Sequence, residues 1–562
     1  MSLDTAKRVL IIGLDGATWD LLDGWAKQGH LPTIERLRSR GTWGSLRTTM
    51  PPATPPSWTS MYTGTNPGKH GIFGWFQRQP NGYRLSPISA SARRTKTIFR
   101  ILSDAGLKVG VLNAPATYPP EPVNGMLVPG IPLPEGRSDY TYPPELGPEL
   151  HSLTGGKHRH PPGLEQAAAD VEHFMEACHE YARAVTSAAT FMMDRLEDWD
   201  LFFVQFQVTD AVQHQFWHGL DPDHPKYDPK APESIRNAIL DVYKTVDQCL
   251  VPILERAGEE ADVLVVSDHG GGPLHEQIYL NIWLWQQGWL KFKRGPTTML
   301  RRLLYTLGIT PEFLRRHIYS RLPHTARKSV EARKSRMFTL ADRFFLSLDD
   351  VDWERTRAYA YGTPLGSVYV NLRGREPQGC VSPDEYEDVL DEIGRKLKQM
   401  RHPVTGQPLV DKVIRSSETY HGPFAKDAPD LQLLTRGLKY QNIGALQFQS
   451  KRWIGQAWHS GHHTLDGIFL ASGPHLRRAE ITGASILDIA PTVLTLLGQP
   501  IPDWMDGNVL TDSIEEGFLK AGGPELVHEE ETVVSQATSY SGYTAEDEAQ
   551  ITKRLADLGY IE

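Results

Sequence analysis

Cysteine is scarce in this sequence. Cys178, Cys249 and Cys380 are the only three in 562 residues. They stand far apart, are odd in number and show no C-x-x-C spacing, so neither a disulfide framework nor a thiolate metal site is expected. That usage suits a reducing compartment, and the expected location is the cytoplasm. Positive charge is not in excess either. Lys and Arg number 59 against 68 Asp and Glu, a net charge of −9. A basic stripe for a nucleic-acid polymer over the whole molecule is therefore not expected. Long apolar runs are also missing. No window approaches the roughly 18 uninterrupted apolar residues of a membrane span. The first apolar run, VLIIGL, is broken by Gly13 and followed by Asp15. It is too short for the apolar region of a signal peptide.

What is present is enough apolar residue, 40% of the chain, for a large core. Short apolar runs without clean alternation recur at Val9–Leu14, Lys108–Leu112, Leu201–Gln207, Val263–Ser267, Ser367–Asn371, Leu431–Leu434 and Gly467–Ala471. Helical periodicity separates them at Lys96–Ala105, Gln166–Arg195, Pro232–Ala257 and Pro383–Met400. Strands alternating with helices predict an α/β fold, a mostly parallel central sheet with helices on both faces. Function then collects at the carboxyl ends of the strands. The expected organisation is a core over 1–294 and 351–511, an inserted helical cap or lid over 295–350, and a peripheral tail over 512–562. The tail is predicted to end in a helix at Ala545–Leu558. The basic, amphipathic run within 295–350 reads first as a solvated face, and second as a surface for an anionic substrate, a partner or a membrane.

The richest stretch is VLVVSDHGGGP, residues 263–273. A strand ends on two strong metal ligands, Asp268 and His269. Neighbours within a strand point to opposite faces, but past its end both can converge on one ion. Gly270, Gly271 and Gly272 are expected to turn the backbone sharply there. The alternative is a turn aspartate beside a loop histidine. Asp15 ends the first strand in the same way, though alone it could be a turn or cap residue. Asp210 and His214 follow a third strand. Four residues apart on a helix, they share a face and can serve one ion, or else form an exposed pair. In SGHHTLDGIF one of His462 and His463 is expected to be a ligand. The other, with His459, is expected to be structural. Three carboxylates and three imidazoles suit two divalent cations. Two such ions about 3.5–4 Å apart can clamp a phosphoryl group. Thr54 and Ser57 offer hydroxyls at a predicted helix entrance, where N–H groups and the dipole favour phosphate. On local sequence alone either reads as a helix cap. Trp58, Trp75 and Trp217 could stack on a substrate ring or be ordinary core aromatics.

Taken in order, these motifs resemble the alkaline-phosphatase superfamily, and within it the type I phosphodiesterase/nucleotide pyrophosphatase branch. The matching elements are LDG with Asp15, the TGTNPGKHGI stretch after Thr54, Asp210-x-x-x-His214, Asp268–His269 in SDHG, and G-x-H at Gly461–His463. The resemblance spans roughly residues 8–510 and implies a two-metal phosphohydrolase. It implies Asp15, Thr54, Asp268 and His269 around one ion, and Asp210, His214 and His463 around the other. Zinc is expected, with manganese or iron as alternatives. By the same resemblance Thr54 is the nucleophile and is transiently phosphorylated, and the substrate is a small phosphate ester. One departure stands out: Trp75 occupies the position where related diesterases often carry a phosphate-holding asparagine. A phosphomonoesterase, phosphonate hydrolase, sulfatase-like enzyme or non-catalytic metal-stabilised binding protein are the alternatives. The sulfatase pattern is weakened by Thr54-Pro55-Pro56-Ser57-Trp58, which lacks its Cys or Ser and its Arg. A phosphoglycerate-mutase-like reading is weakened because that relative uses serine.

Overall fold

Apolar strands covered on both faces divide their side chains between two cores. Val9 and Ile11 enter one apolar cluster, and Leu10 and Ile12 enter another. The same division holds for Leu264 and Val266 against Val263 and Val265. The structure, a computed structural model, describes residues 8–79, 82–163, 170–313, 344–362, 365–444, 448–528 and 543–560.

The strands that position the site are β1 (Arg8–Leu14), β2 (Thr42–Arg47), β3 (Val109–Ala114), β4 (Gly125–Pro129), β5 (Leu201–Phe206), β6 (Ala261–Val266), β7 (Gly270–Pro273), β8 (Gly461–Thr464), β9 (Asp466–Ser472) and β10 (Ala479–Ser485). Eight of them form one sheet in the order β10-β2-β9-β6-β1-β5-β3-β4. Every pairing is parallel except those of β9 with β2 and β6. This is the mostly parallel α/β sheet the sequence predicts. Helix α1 (Thr54–Thr63) packs on one face. Helices α2 (Val171–Leu196), α3 (Val208–Leu220) and α4 (Ala238–Ala257) pack on the other. Asp170 caps α2, its carboxylate accepting from the N–H groups of Glu172 and His173; the expected start of that helix, residues 166–169, lies outside the described residues.

Apolar side chains between residues 278 and 454 gather into a separate cluster. It lies over a four-stranded antiparallel sheet in the order Ala358–Tyr361, Ser367–Val370, Leu431–Thr435, Val410–Arg415. Within 295–350 the described residues give a helix, Pro296–Thr306, and a short turn, Leu348–Asp350; residues 314–343 lie outside the description. Among the described residues no helix is long and apolar enough to cross a membrane.

One expectation is corrected. The Gly270–Gly272 run is not a sharp turn but strand β7, paired antiparallel with β8. None of these glycines has a left-handed φ. They are needed for close approach: a Cβ on Gly271 would meet the Gln213 amide oxygen, and one on Gly270 the Asp466 carbonyl. The pairing sets His463 opposite Gly271, and His462 opposite Gly272.

Candidate metal centre

Three central, adjacent parallel strands deliver the acidic residues. Asp15 follows β1, Asp210 lies in the first turn of α3 just after β5, and Asp268 follows β6. All three are buried. Asp15 Oδ2 accepts hydrogen bonds from Trp58 Nε1 at 2.9 Å and Gln205 Nε2 at 2.7 Å. Asp268 Oδ1 accepts one from the Gly16 N–H at 3.3 Å. The other oxygens, Asp15 Oδ1 and Asp268 Oδ2, have no hydrogen-bond partner. His269 Nε2 lies 3.7 Å from the first and 3.2 Å from the second, and it too lacks a hydrogen bond. Such orphaned buried atoms are costly, and here they converge as metal ligands would.

The second cluster is Asp210, His214 and His463. His214 Nε2 lies 3.3 Å from Asp210 Oδ2, and His463 Nε2 lies 3.6 Å from Asp210 Oδ1. The two Nε2 atoms are 3.1 Å apart. His269, His214 and His463 share one device. Their Nδ1–H groups donate to backbone carbonyls, His269 to Gly270, His214 to Gly461 and His463 to Pro52. Each Nε2 is thereby left as the atom with a lone pair to offer. The His269 and His463 rings stack at 3.6 Å, joining the two clusters.

Thr54 is the first residue of α1. The cap position belongs to Ala53, which makes no side-chain cap bond, so the helix-cap reading of Thr54 falls away. Its Oγ1 is buried without a hydrogen-bond partner. Its neighbours tie it to the clusters: Pro52 accepts from His463, and Trp58 donates to Asp15. Ser57 is committed elsewhere, to Thr48 at 2.8 Å and Thr49 at 3.1 Å. Trp58 and Trp217 are core aromatics, and Trp75 packs against Tyr560 with ring centres 4.7 Å apart.

The electrostatics fit a group of cation ligands. Burial pushes the Asp15 carboxyl well above the usual range, and the charge of Asp210 adds to the shift. Burial does the same to Asp268, with Asp15 and Asp210 adding. Burial opposes ionisation of Asp210 as well, but His214 and His463 outweigh it and hold that carboxyl low. Burial pulls His269 down to about 4 and His463 well below its ordinary value. A cation among these groups would favour the ionised carboxylates and neutral imidazoles it needs as ligands.

Sequence reasoning did not single out Gln205, Gln207 and Tyr560. Gln205 Nε2 donates to Gln207 Oε1 at 2.8 Å, Gln207 Nε2 donates to the Tyr560 hydroxyl at 2.5 Å, and that hydroxyl donates to Asp210 Oδ2 at 2.7 Å. Two glutamines at the end of an apolar strand were a readable signal, because such buried amides need partners. His459 and His462 form a further buried group with His214.

Residues 9–463 match the family described as type I phosphodiesterase / nucleotide pyrophosphatase. No curated protein matches the sequence. Among solved structures, phosphonoacetate hydrolase from Sinorhizobium meliloti 1021 in complex with phosphonoacetate superposes with a TM-score of 0.50 at 16% identity, covering 88% of this chain and 96% of the other. Murine ectonucleotide pyrophosphatase / phosphodiesterase 5 does so with a TM-score of 0.48 at 14% identity, covering 90% and 100%. The matched span runs from before Asp15 to His463. The chain belongs to the type I phosphodiesterase / nucleotide pyrophosphatase family of the alkaline phosphatase superfamily, a family of metal-dependent enzymes that hydrolyse phosphoric esters.

Proposed function

We propose that this protein is a two-metal phosphodiesterase with Thr54 as nucleophile. The observation that carries the proposal is the set of unpartnered buried atoms, Asp15 Oδ1, Asp268 Oδ2, His269 Nε2 and Thr54 Oγ1. In this reading they hold one divalent ion, and Asp210, His214 and His463 hold the other. The donor set of imidazole nitrogen and carboxylate oxygen suits zinc. When bound, the ions supply positive charge to the phosphoryl oxygens and acidify the hydroxyl and the water that react there. The chain supplies the rest. Thr54 Oγ gives up its proton to solvent and bonds to phosphorus, the bond from phosphorus to the leaving oxygen breaks, and that oxygen takes a proton from solvent to leave as the alcohol. Water then attacks the phospho-threonine, releasing phosphate monoester and restoring the hydroxyl. The start of α1, where Pro55 and Pro56 carry no N–H, directs the Thr54 N–H and the positive dipole end at the phosphoryl group.

The test is hydrolysis of bis-p-nitrophenyl phosphate, p-nitrophenyl phosphate and p-nitrophenyl sulfate with added zinc or manganese. The diester is the expected best substrate. A strong preference for the monoester or the sulfate removes the diesterase assignment while leaving the family intact.

A further inference from the structure

The segment expected to be a peripheral tail reaches the metal centre. Helix α5 (Ala545–Asp557) begins with a reciprocal cap between Thr544 and Asp547. Its Ile551 and Leu555, with Leu558 beyond its end, pack against Trp75, Ile131 and Tyr560. Gly559 follows with φ +87°, a left-handed turn that an L side chain would strain. That turn drives Tyr560 inward until it is 3% exposed.

The hydrogen bonds that run from Gln205 through Gln207 and Tyr560 to Asp210 have one direction. Gln205 donates to both Asp15 and Gln207, so the Gln207 oxygen faces Gln205 and its nitrogen faces Tyr560. That nitrogen can only donate. The phenol oxygen therefore receives from Gln207, and the phenol proton goes to Asp210.

We infer that Tyr560 is a positioning residue for Asp210, and that docking of helix α5 is coupled to metal binding by Asp210, His214 and His463. A carboxylate with one oxygen held by a fixed donor loses less freedom when an ion binds it. Linkage then requires the reverse: an ion on Asp210 favours the docked helix by the same factor. Gly559 and Tyr560 also line, with Ala53, Trp75, His214 and His463, a cavity of about 10 Å³. That is room for about one water.

The inference rests on the metal assignment proposed above, and the experiment separates the two. Zinc alone is titrated into metal-free full-length protein and into Tyr560→Phe, which keeps the ring and removes only the hydroxyl. The parent is expected to bind two ions. In the variant one of them should weaken about 10–100-fold, the usual effect of removing a partner of a metal ligand, and the other should keep its affinity. Hydrogen exchange provides a second readout. Zinc should slow exchange in Ala545–Asp557 of the parent, and the slowing should disappear in Tyr560→Phe. Two equal affinities in parent and variant, or a helix whose exchange ignores zinc in the parent, overturn the coupling alone. A parent that binds no zinc overturns the metal assignment as well.

Discussion

A buried hydroxyl without a hydrogen bond costs about 1–3 kcal/mol, and Thr54 carries one at the first position of α1. Nothing in the packing of that helix needs a hydroxyl there, since the cap position is Ala53. The expected outcome of Thr54→Ala is loss of diester hydrolysis by ~10³-fold or more, with about two metal ions per chain retained. Metal analysis beside the assay decides the matter; if both ions leave, Thr54 is chiefly a structural ligand. His463 and His462 make a second comparison. His463 is anchored through Nδ1 to Pro52, whereas neither ring nitrogen of His462 has a hydrogen-bond partner. His463→Ala is therefore expected to lose more metal and more activity than His462→Ala, and the opposite ranking would reassign the ligand. At this scale the acidic residues were legible because each follows a short apolar run that only a central strand explains. Tyr560 was not. Its bond to Asp210 spans 350 residues, and no local pattern announces a contact of that range.

At the scale of the element, the ribbon of β7 and β8 positions the site and was the least legible part of it. GGGP and GHHT contain little of the β-branched and aromatic residue that marks a strand. Glycine here signals proximity, not turning, and the sequence pattern does not separate the two. The ribbon predicts a sharp sensitivity. Gly271→Ala pushes a methyl into the Gln213 amide oxygen, and overpacking of that kind costs about 1–3 kcal/mol. Thermal unfolding of the variant checks this, and an unchanged midpoint would mean that Gln213 moves aside freely. Helix α5 predicts a kinetic signature. Tyr560→Ala enlarges the 10 Å³ cavity, so KM for bis-p-nitrophenyl phosphate should fall while kcat falls through the unsupported Asp210. Tyr560→Phe keeps the ring and should leave KM alone. If both variants shift KM equally, the ring is not what limits access.

Across the whole molecule, buried neutral histidines set an acid limit that is independent of the metal ligands. Burial pulls His70, His158 and His160 each from 6.5 to about 3. The unfolded chain then binds more protons than the folded one between those values, so stability rises with pH through that window. Read downward, stability is lost as pH falls from 6.5 toward about 3. Urea midpoints across that range measure it, and His70→Gln should flatten the slope. A midpoint that stays level from pH 6.5 to 4 contradicts these histidines being buried in neutral form. The sheet, its parallel centre and the helices on both faces were legible from alternating apolar and periodic segments, but its strand order was not. Nothing local says that β9 slots between β2 and β6.

That strand order bears on how the protein is made. Asp15 is made long before the strand beside β6 and the histidine that precedes that strand, His463. The hydrogen bond from Tyr560 to Asp210 must wait longer still. A nascent chain therefore carries Asp210 and His214 for much of its synthesis without the histidine that completes their cluster. Contacts this distant in sequence also form slowly. In the proposed two-ion centre, the set of Asp210, His214 and His463 should therefore stay unorganised until residue 463 and the strand after it are made, so that ion is expected to be captured later than the one at Asp15 and Asp268.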